Sequence, residues 1–271
     1  MLLDCFPYFN EKEILELRIA TLYDHVDGFL ITDANRTHRG EEKPFTVLDT
    51  LKELGISDEK IQVLHVELPP YEEAPDPWIR ERGQRDALGV GLHMLPDDIV
   101  FISSDCDEIV NPAKLSELID LVAEHSNSVI KLSMSMHYGR ADRQLITPEG
   151  QLHNWRNAVV STVGHLKEFG TLSSMRASQD NIYFGDLDAG WHFSWMGDAN
   201  RRLKKLKSYA HWETDRPDVA KTCERFNADL GSADMLGRED HLITDYPTDA
   251  LPTALWKLDR VKSFLLPEDV N

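Results

Sequence analysis

The sequence predicts an α/β fold: a mostly parallel, Rossmann-type sheet flanked by helices, with a less regular second half. Three observations carry this. Short apolar runs alternate with stretches of helical period through the first half. Helix starts carry recognisable caps, each followed by such a stretch. No repeat, low-complexity tract or linker divides the chain, so 1–271 reads as one continuous domain with halves at 1–137 and 138–271.

The elements follow in order. Leu2 to Phe6 reads as a strand, and Asn10 with Glu13 reads as a capping box opening a helix. Ile14, Leu15, Leu17, Ile19 and Leu22 recur at helical spacing. Gly28 to Thr32 is a second strand, a short helix ends near Gly55, and Ile61 to Val66 is a third strand. Asp76-Pro77 caps and starts a long helix to about Leu95. Asp98 to Ser103 is a buried strand, Asn111-Pro112 begins another helix, and Val129 to Met136 reads as one further strand. In the second half, Pro148-Glu-Gly150 reads as a turn between strands and Gly190 to Trp195 as a strand. Asp198 caps a basic helix through Ser208, and a helix follows Pro217.

Lys and Arg total 29 against 47 Asp and Glu, a formal charge of -18. Such a surface repels nucleic acid and anionic lipid. It also repels a nucleotide diphosphate, so an anionic substrate needs a local cation, either a metal or arginines. The three cysteines, Cys5, Cys106 and Cys223, form no CxxC pair, which speaks against a disulfide framework or a structural zinc site. With no apolar run of membrane-spanning length and no basic leader at the N-terminus, the expected location is the cytoplasm.

The strongest local signal is Ser104-Asp-Cys-Asp-Glu108, where acidic side chains follow an apolar strand. In open α/β sheets ligands bind at the carboxyl ends of strands. Asp105 and Asp107, two residues apart, can face one site and clasp Mg²⁺ or Mn²⁺ together with phosphate oxygens. The bland alternative is an acidic loop capping the next helix, although capping needs one acid rather than three. The helix before this strand carries Arg82 and Arg85 on one face, suited to phosphate or, equally, to ion pairs with Glu81 and Asp86. His192 lies between Trp191 and Trp195, where a packed histidine and a ligand are both open readings. His211-Trp-Glu213 follows a basic helix that includes Lys205.

Taken in order, these pieces resemble glycosyltransferase family seventeen, the family of the β-1,4-mannosyl-glycoprotein 4-β-N-acetylglucosaminyltransferases. The matching stretches are Asp4-Cys-Phe-Pro-Tyr-Phe-Asn-Glu11, followed by the Leu15–Arg18 helix, and Asn35-Arg-Thr-His-Arg-Gly40 with Lys43-Pro44. They continue through Ser104-Asp-Cys-Asp-Glu-Ile109, Ala189-Gly-Trp-His-Phe-Ser-Trp195, Lys205-Leu-Lys-Ser208, His211-Trp-Glu213, Leu251-Pro and Leu265-Leu266.

The resemblance implies a GT-A-like fold, with 1–137 as the nucleotide-sugar half and 138–271 as the acceptor side. It implies a divalent metal, Mn²⁺ or Mg²⁺, and inverting transfer of N-acetylglucosamine from UDP-N-acetylglucosamine to a glycan. The expected metal contacts are Asp105, Asp107, His192 and His211. The expected donor contacts are Asp105, Arg82, Arg85, Asn35 and Lys205. Glu213 is the expected base, with Glu239 and Asp240 as alternatives. With no anchor or stem before the first strand, a bacterial or viral glycan is a better expectation than a Golgi N-glycan. Two other readings use the same residues: a nucleotidyltransferase or phosphatase with this aspartate pair, and a non-catalytic glycan-binding module.

Overall fold

A computed structural model describes residues 1–57, 59–226, 234–238 and 241–266. The chain opens with β1 (Leu2–Tyr8), α1 (Lys12–Leu22), β2 (Gly28–Ala34), α2 (Val47–Glu53), β3 (Ile61–Val66), α3 (Pro77–Leu92) and β4 (Val100–Ser103). These four strands pair in parallel in the order β3-β2-β1-β4. All seven residues of β2 are buried, as expected of a strand covered on both faces.

Past β4 the chain leaves this sheet. β5 (Glu108–Val110) begins a second, smaller sheet, and after α4 (Leu115–Glu124) the strand β6 (Ile130–Leu132) rejoins the first. The stretch from Val129 to Met136, expected as one strand, is therefore two. β6 lies in the first sheet and β7 (Met134–Tyr138) in the second. Both pieces are wholly buried, so no change of polarity marks the break at Ser133.

The order then runs β8 (Arg140–Ile146), β9 (Asn154–Trp155), β10 (Val159–Thr162), α5 (Val163–Phe169), α6 (Leu172–Ala177) and β11 (Ile182–Phe184). It ends with β12 (Gly190–Ser194), α7 (Ala199–Ser208), α8 (Pro217–Arg225), β13 (Leu242–Asp245) and α9 (Asp259–Leu265). The first sheet is β11-β6-β10-β4-β1-β2-β3, and the second is β13-β8-β7-β12-β5 with β9 paired to β7. Within the first sheet only β10 runs antiparallel to its neighbours. This is the expected α/β class, a mostly parallel sheet flanked by helices. A single apolar cluster, from Phe6 and Leu15 to Trp191, Phe193 and Leu255, joins the two sheets.

The capping expectations hold at three helices. Asp76 accepts from the Trp78 amide at 3.0 Å, Asn111 from Ala113 at 3.1 Å, and Asp198 from Arg201 at 2.9 Å. They fail at α1. Asn10 sits at φ 51°, a left-handed turn that asparagine tolerates, and Glu11 takes the cap position without a side-chain cap bond. Glu13 instead pairs with Arg201 of α7 at 2.9 Å. The three cysteines are free and buried. Among the described residues, no helix is long and apolar enough to cross a membrane.

Candidate active site

The acidic turn lies at the seam between the sheets. β4 carries the chain to Ser103 in the first sheet, and Glu108 starts β5 in the second. Asp105 and Asp107 thus sit past the carboxyl ends of parallel strands, the usual place for a ligand in such a sheet. β12 pairs antiparallel with β5 so that His192 stands opposite Glu108, and the Phe193 amide donates to the Asp107 carbonyl at 2.8 Å. Tertiary pairing therefore brings His192 to the turn from 85 residues further along the chain.

A buried arginine holds the turn in shape. Arg18, from α1, grips Asp4 through two bonds at 2.7 and 2.5 Å. Its remaining donors reach the carbonyls of Asp105 at 2.7 Å and Glu108 at 2.9 Å and the Ser104 hydroxyl at 2.7 Å. Carbonyls gathered in one bend would be left unpaired away from water, and this guanidinium satisfies them.

The two aspartates have different surroundings. Asp105 accepts from Arg85 at 2.7 Å on one oxygen and from Arg176 of α6 at 2.6 Å on the other. Burial alone would raise its pKa, but Arg176 and then Arg85 outweigh that and hold it far below the usual carboxylate range. Glu108, fully buried, ties this corner together. It accepts from the Asp105 amide at 2.8 Å, from Arg176 at 3.0 and 3.1 Å, and from the Trp155 indole at 2.5 Å. The Trp155 ring in turn lies 4.3 Å from the His192 ring.

Asp107 keeps one oxygen for Lys205, at 3.0 Å. Burial is opposed there by Lys205 and then His192, and the net pKa is again well below the ordinary value. Its other oxygen faces His192 Nε2 at 3.6 Å, too long for a hydrogen bond. Two ligands each about 2.1 Å from one octahedral cation stand roughly 3 Å apart, so this pair suits a shared Mg²⁺ or Mn²⁺ after a small adjustment. The described residues gather no cluster of three or more His, Cys, Asp or Glu for a metal. A cation here must complete its shell with substrate oxygens or water. Asp105, with a guanidinium on each oxygen, is poorly placed to be one of the ligands.

These groups line a cleft of about 700 Å³. Arg36 Nε, Arg85 Nη1 and Arg201 Nη2, all on cleft-lining residues, are buried donors without a partner among the described residues. His192 Nδ1 is likewise buried and has no partner among the described residues. Buried polar groups are rarely left so in a finished site, and three unpaired N–H groups call for a ligand rich in acceptors.

The other expected residues are scattered. His211 lines the cleft, but its Nδ1 bonds Glu213 at 2.7 Å and its ring packs edge-on to Trp78 at 4.7 Å. Glu213, side chain 53% exposed, does not line the cleft. Arg82 is half exposed, 3.6 Å from Asp76, and outside the cleft lining. Asn35 accepts from the Leu68 amide at 2.9 Å, a loop-fastening role outside the cleft lining. Glu239 and Asp240 lie outside the described residues. Sequence reasoning missed Arg18, Arg176 and Glu11. Arg176 carries no local signal. Arg18 and Glu11 lie within the matching stretches and were passed over.

The profile of Glycosyltransferase family 17 matches residues 1–229. Among curated proteins none matches significantly. Solved structures give distant likenesses. S. aureus TarS 1-349 is 12% identical, with TM-score 0.43, over 71% of this chain and 60% of that one. A 4-diphosphocytidyl-2C-methyl-D-erythritol synthase is 12% identical, with TM-score 0.39, over 68% of this chain and 89% of that one. The mannose-6-phosphate isomerase from Helicobacter pylori is 12% identical, with TM-score 0.41, over 95% and 88%. Likeness at that level says nothing of shared chemistry, whereas the family profile spans most of the chain and takes in the whole acidic turn and the His192 strand. The chain belongs to glycosyltransferase family 17 and is a glycosyltransferase.

Proposed function

We propose that the chain transfers N-acetylglucosamine from UDP-N-acetylglucosamine to a glycan hydroxyl, with inversion at the anomeric carbon and with the help of Mn²⁺ or Mg²⁺. One observation carries the reading: Asp107 and His192 face each other at 3.6 Å beside Lys205, in a cleft whose arginines hold buried, unpartnered N–H groups. Asp107 and His192 would hold the metal, which supplies Lewis-acid charge to the departing diphosphate. Lys205 adds a fixed positive charge at the same place, held by Asp107. Arg85, on the cleft lining, keeps one buried N–H without a partner among the described residues, while Asp105 fixes its other arm. Asp105 thus works by positioning arginines on the donor side, and direct displacement by the acceptor inverts the sugar carbon.

Thermal shift with UDP-, GDP-, ADP- and CMP-sugars, each with and without Mn²⁺, tests the donor and the metal. Stabilisation by the UDP class alone, dependent on Mn²⁺, is expected; at a hundred times Kd it amounts to about 2.7 kcal/mol. Asp107→Ala should keep its fold and lose activity on the order of a thousandfold. Near-normal turnover in that variant would sink the metal assignment. The product separates the rival chemistries. Free UDP marks sugar transfer, while pyrophosphate or phosphate marks nucleotidyl transfer or a phosphatase. Sugar binding that ignores nucleotide and metal marks a binding module.

A further inference from the structure

Four described carboxylates line the cleft: Glu11, Glu81, Asp105 and Asp107. Three are engaged. Glu81 meets Arg85 at 2.5 Å, Asp105 is held by two arginines, and Asp107 by Lys205. Glu11 differs. It occupies the cap position of α1 without capping, and its carboxylate accepts no hydrogen bond from any described residue. Lys205 stands 3.9 Å from it. Yet the side chain is only 21% exposed. A largely buried carboxylate with idle lone pairs, in a cleft read as binding a sugar, is arranged to accept from a ligand hydroxyl.

Resting on the glycosyl-transfer reading, we propose that Glu11 is the base that takes the proton of the attacking hydroxyl. The hydroxyl oxygen bonds to the anomeric carbon, its proton passes to a Glu11 carboxylate oxygen, and the bond from that carbon to the diphosphate oxygen breaks. The electron pair leaves on the nucleoside diphosphate. The surroundings favour this. Tyr8 on β1, Asp105, Cys106 and Asp107 in the turn, and Lys205 and Arg201 on α7 all lie near enough to interact electrostatically with Glu11. Glu11 also stands next to the groups that would hold the diphosphate, through the Lys205 bridge to Asp107.

The test measures UDP release from UDP-N-acetylglucosamine with Mn²⁺, first with water as acceptor and then with added azide. Water needs a base, whereas azide attacks as an anion and does not. Glu11→Gln should bind UDP within about twofold of wild type and lose water-dependent release by about 100-fold or more. It should keep azide-dependent release, with glycosyl azide as the product. A variant releasing UDP to water at a rate within tenfold of wild type overturns the assignment, as does one in which UDP affinity and both rates fall together. The same pattern in Glu239→Gln or Asp240→Asn, with Glu11→Gln normal, moves the base there. Wild type that releases no UDP under either condition refutes the glycosyl-transfer reading itself and this inference with it.

Discussion

Arg82 and Arg85 stand three residues apart on α3, close enough for the sequence to put them on one face, yet the structure separates their surroundings. Arg85 is buried against Glu81 and Asp105, while Arg82 is half exposed beside Asp76. An exposed ion pair contributes little, so Arg82→Ala should change stability by less than about 0.5 kcal/mol and leave UDP affinity alone. Arg85→Ala removes a charged donor that also steadies Asp105. A charge-assisted hydrogen bond is worth about 1.5–3 kcal/mol, so UDP affinity should fall roughly 10- to 100-fold. Calorimetric titration of UDP into both variants checks the contrast, and equal affinities would remove Arg85 from the donor site. A spacing of three puts two side chains only about 60° apart around a helix, so the boundary between cleft and solvent can fall between them.

Strand β12 shows how an element delivers a functional side chain. A Cβ built on Gly190 would meet the Ile109 carbonyl at 2.3 Å, closer than any side chain tolerates. β12 and β5 can pair at this distance only because residue 190 is glycine. Gly190→Ala should therefore push the strands apart, destabilise the protein by about 1–3 kcal/mol, and shift His192 away from Asp107. Chemical denaturation would read the first effect, and loss of Mn²⁺-dependent stabilisation by UDP the second. A variant with unchanged stability and unchanged metal response would show that the pairing tolerates a methyl group. The Gly-Trp-His pattern was legible as a matching stretch, but its reason was not, because the clashing carbonyl belongs to a strand 81 residues earlier.

For the molecule as a whole, the cleft carboxylates set the response of stability to pH. Glu11 is raised from its ordinary 4.5 to about 7, by burial and then by Asp107. The native state then holds this proton more tightly than the unfolded chain, so stability falls as pH rises from about 4.5 to about 7. Asp105 and Asp107 are depressed, so their contribution is present above pH 4 and lost in stronger acid. Thermal melts of donor-free, chelator-treated protein at pH 5 and pH 7.5 should show wild type losing stability relative to Glu11→Gln, by on the order of 1–3 kcal/mol. The difference between the two proteins isolates Glu11 from groups such as His137, whose pKa burial lowers to about 3. Parallel curves for the two proteins would contradict the raised value.

Sequence alone determined the class of fold, because the periods of apolar residues and the caps at Asp76, Asn111 and Asp198 are local properties. It also determined the family and the importance of the acidic turn, since ordered short matches survive without knowledge of contacts. Only the tertiary structure decided what each acid does. The guanidiniums on Asp105 come from α3 and α6, 20 and 71 residues away, and the lysine on Asp107 from 98 residues further along. It also split the Val129–Met136 run between two sheets and left Glu11 as the cleft carboxylate with no hydrogen bond from a described residue. Charge partners and sheet assignment depend on which distant segments pack together, and side-chain spacing along one segment does not encode that.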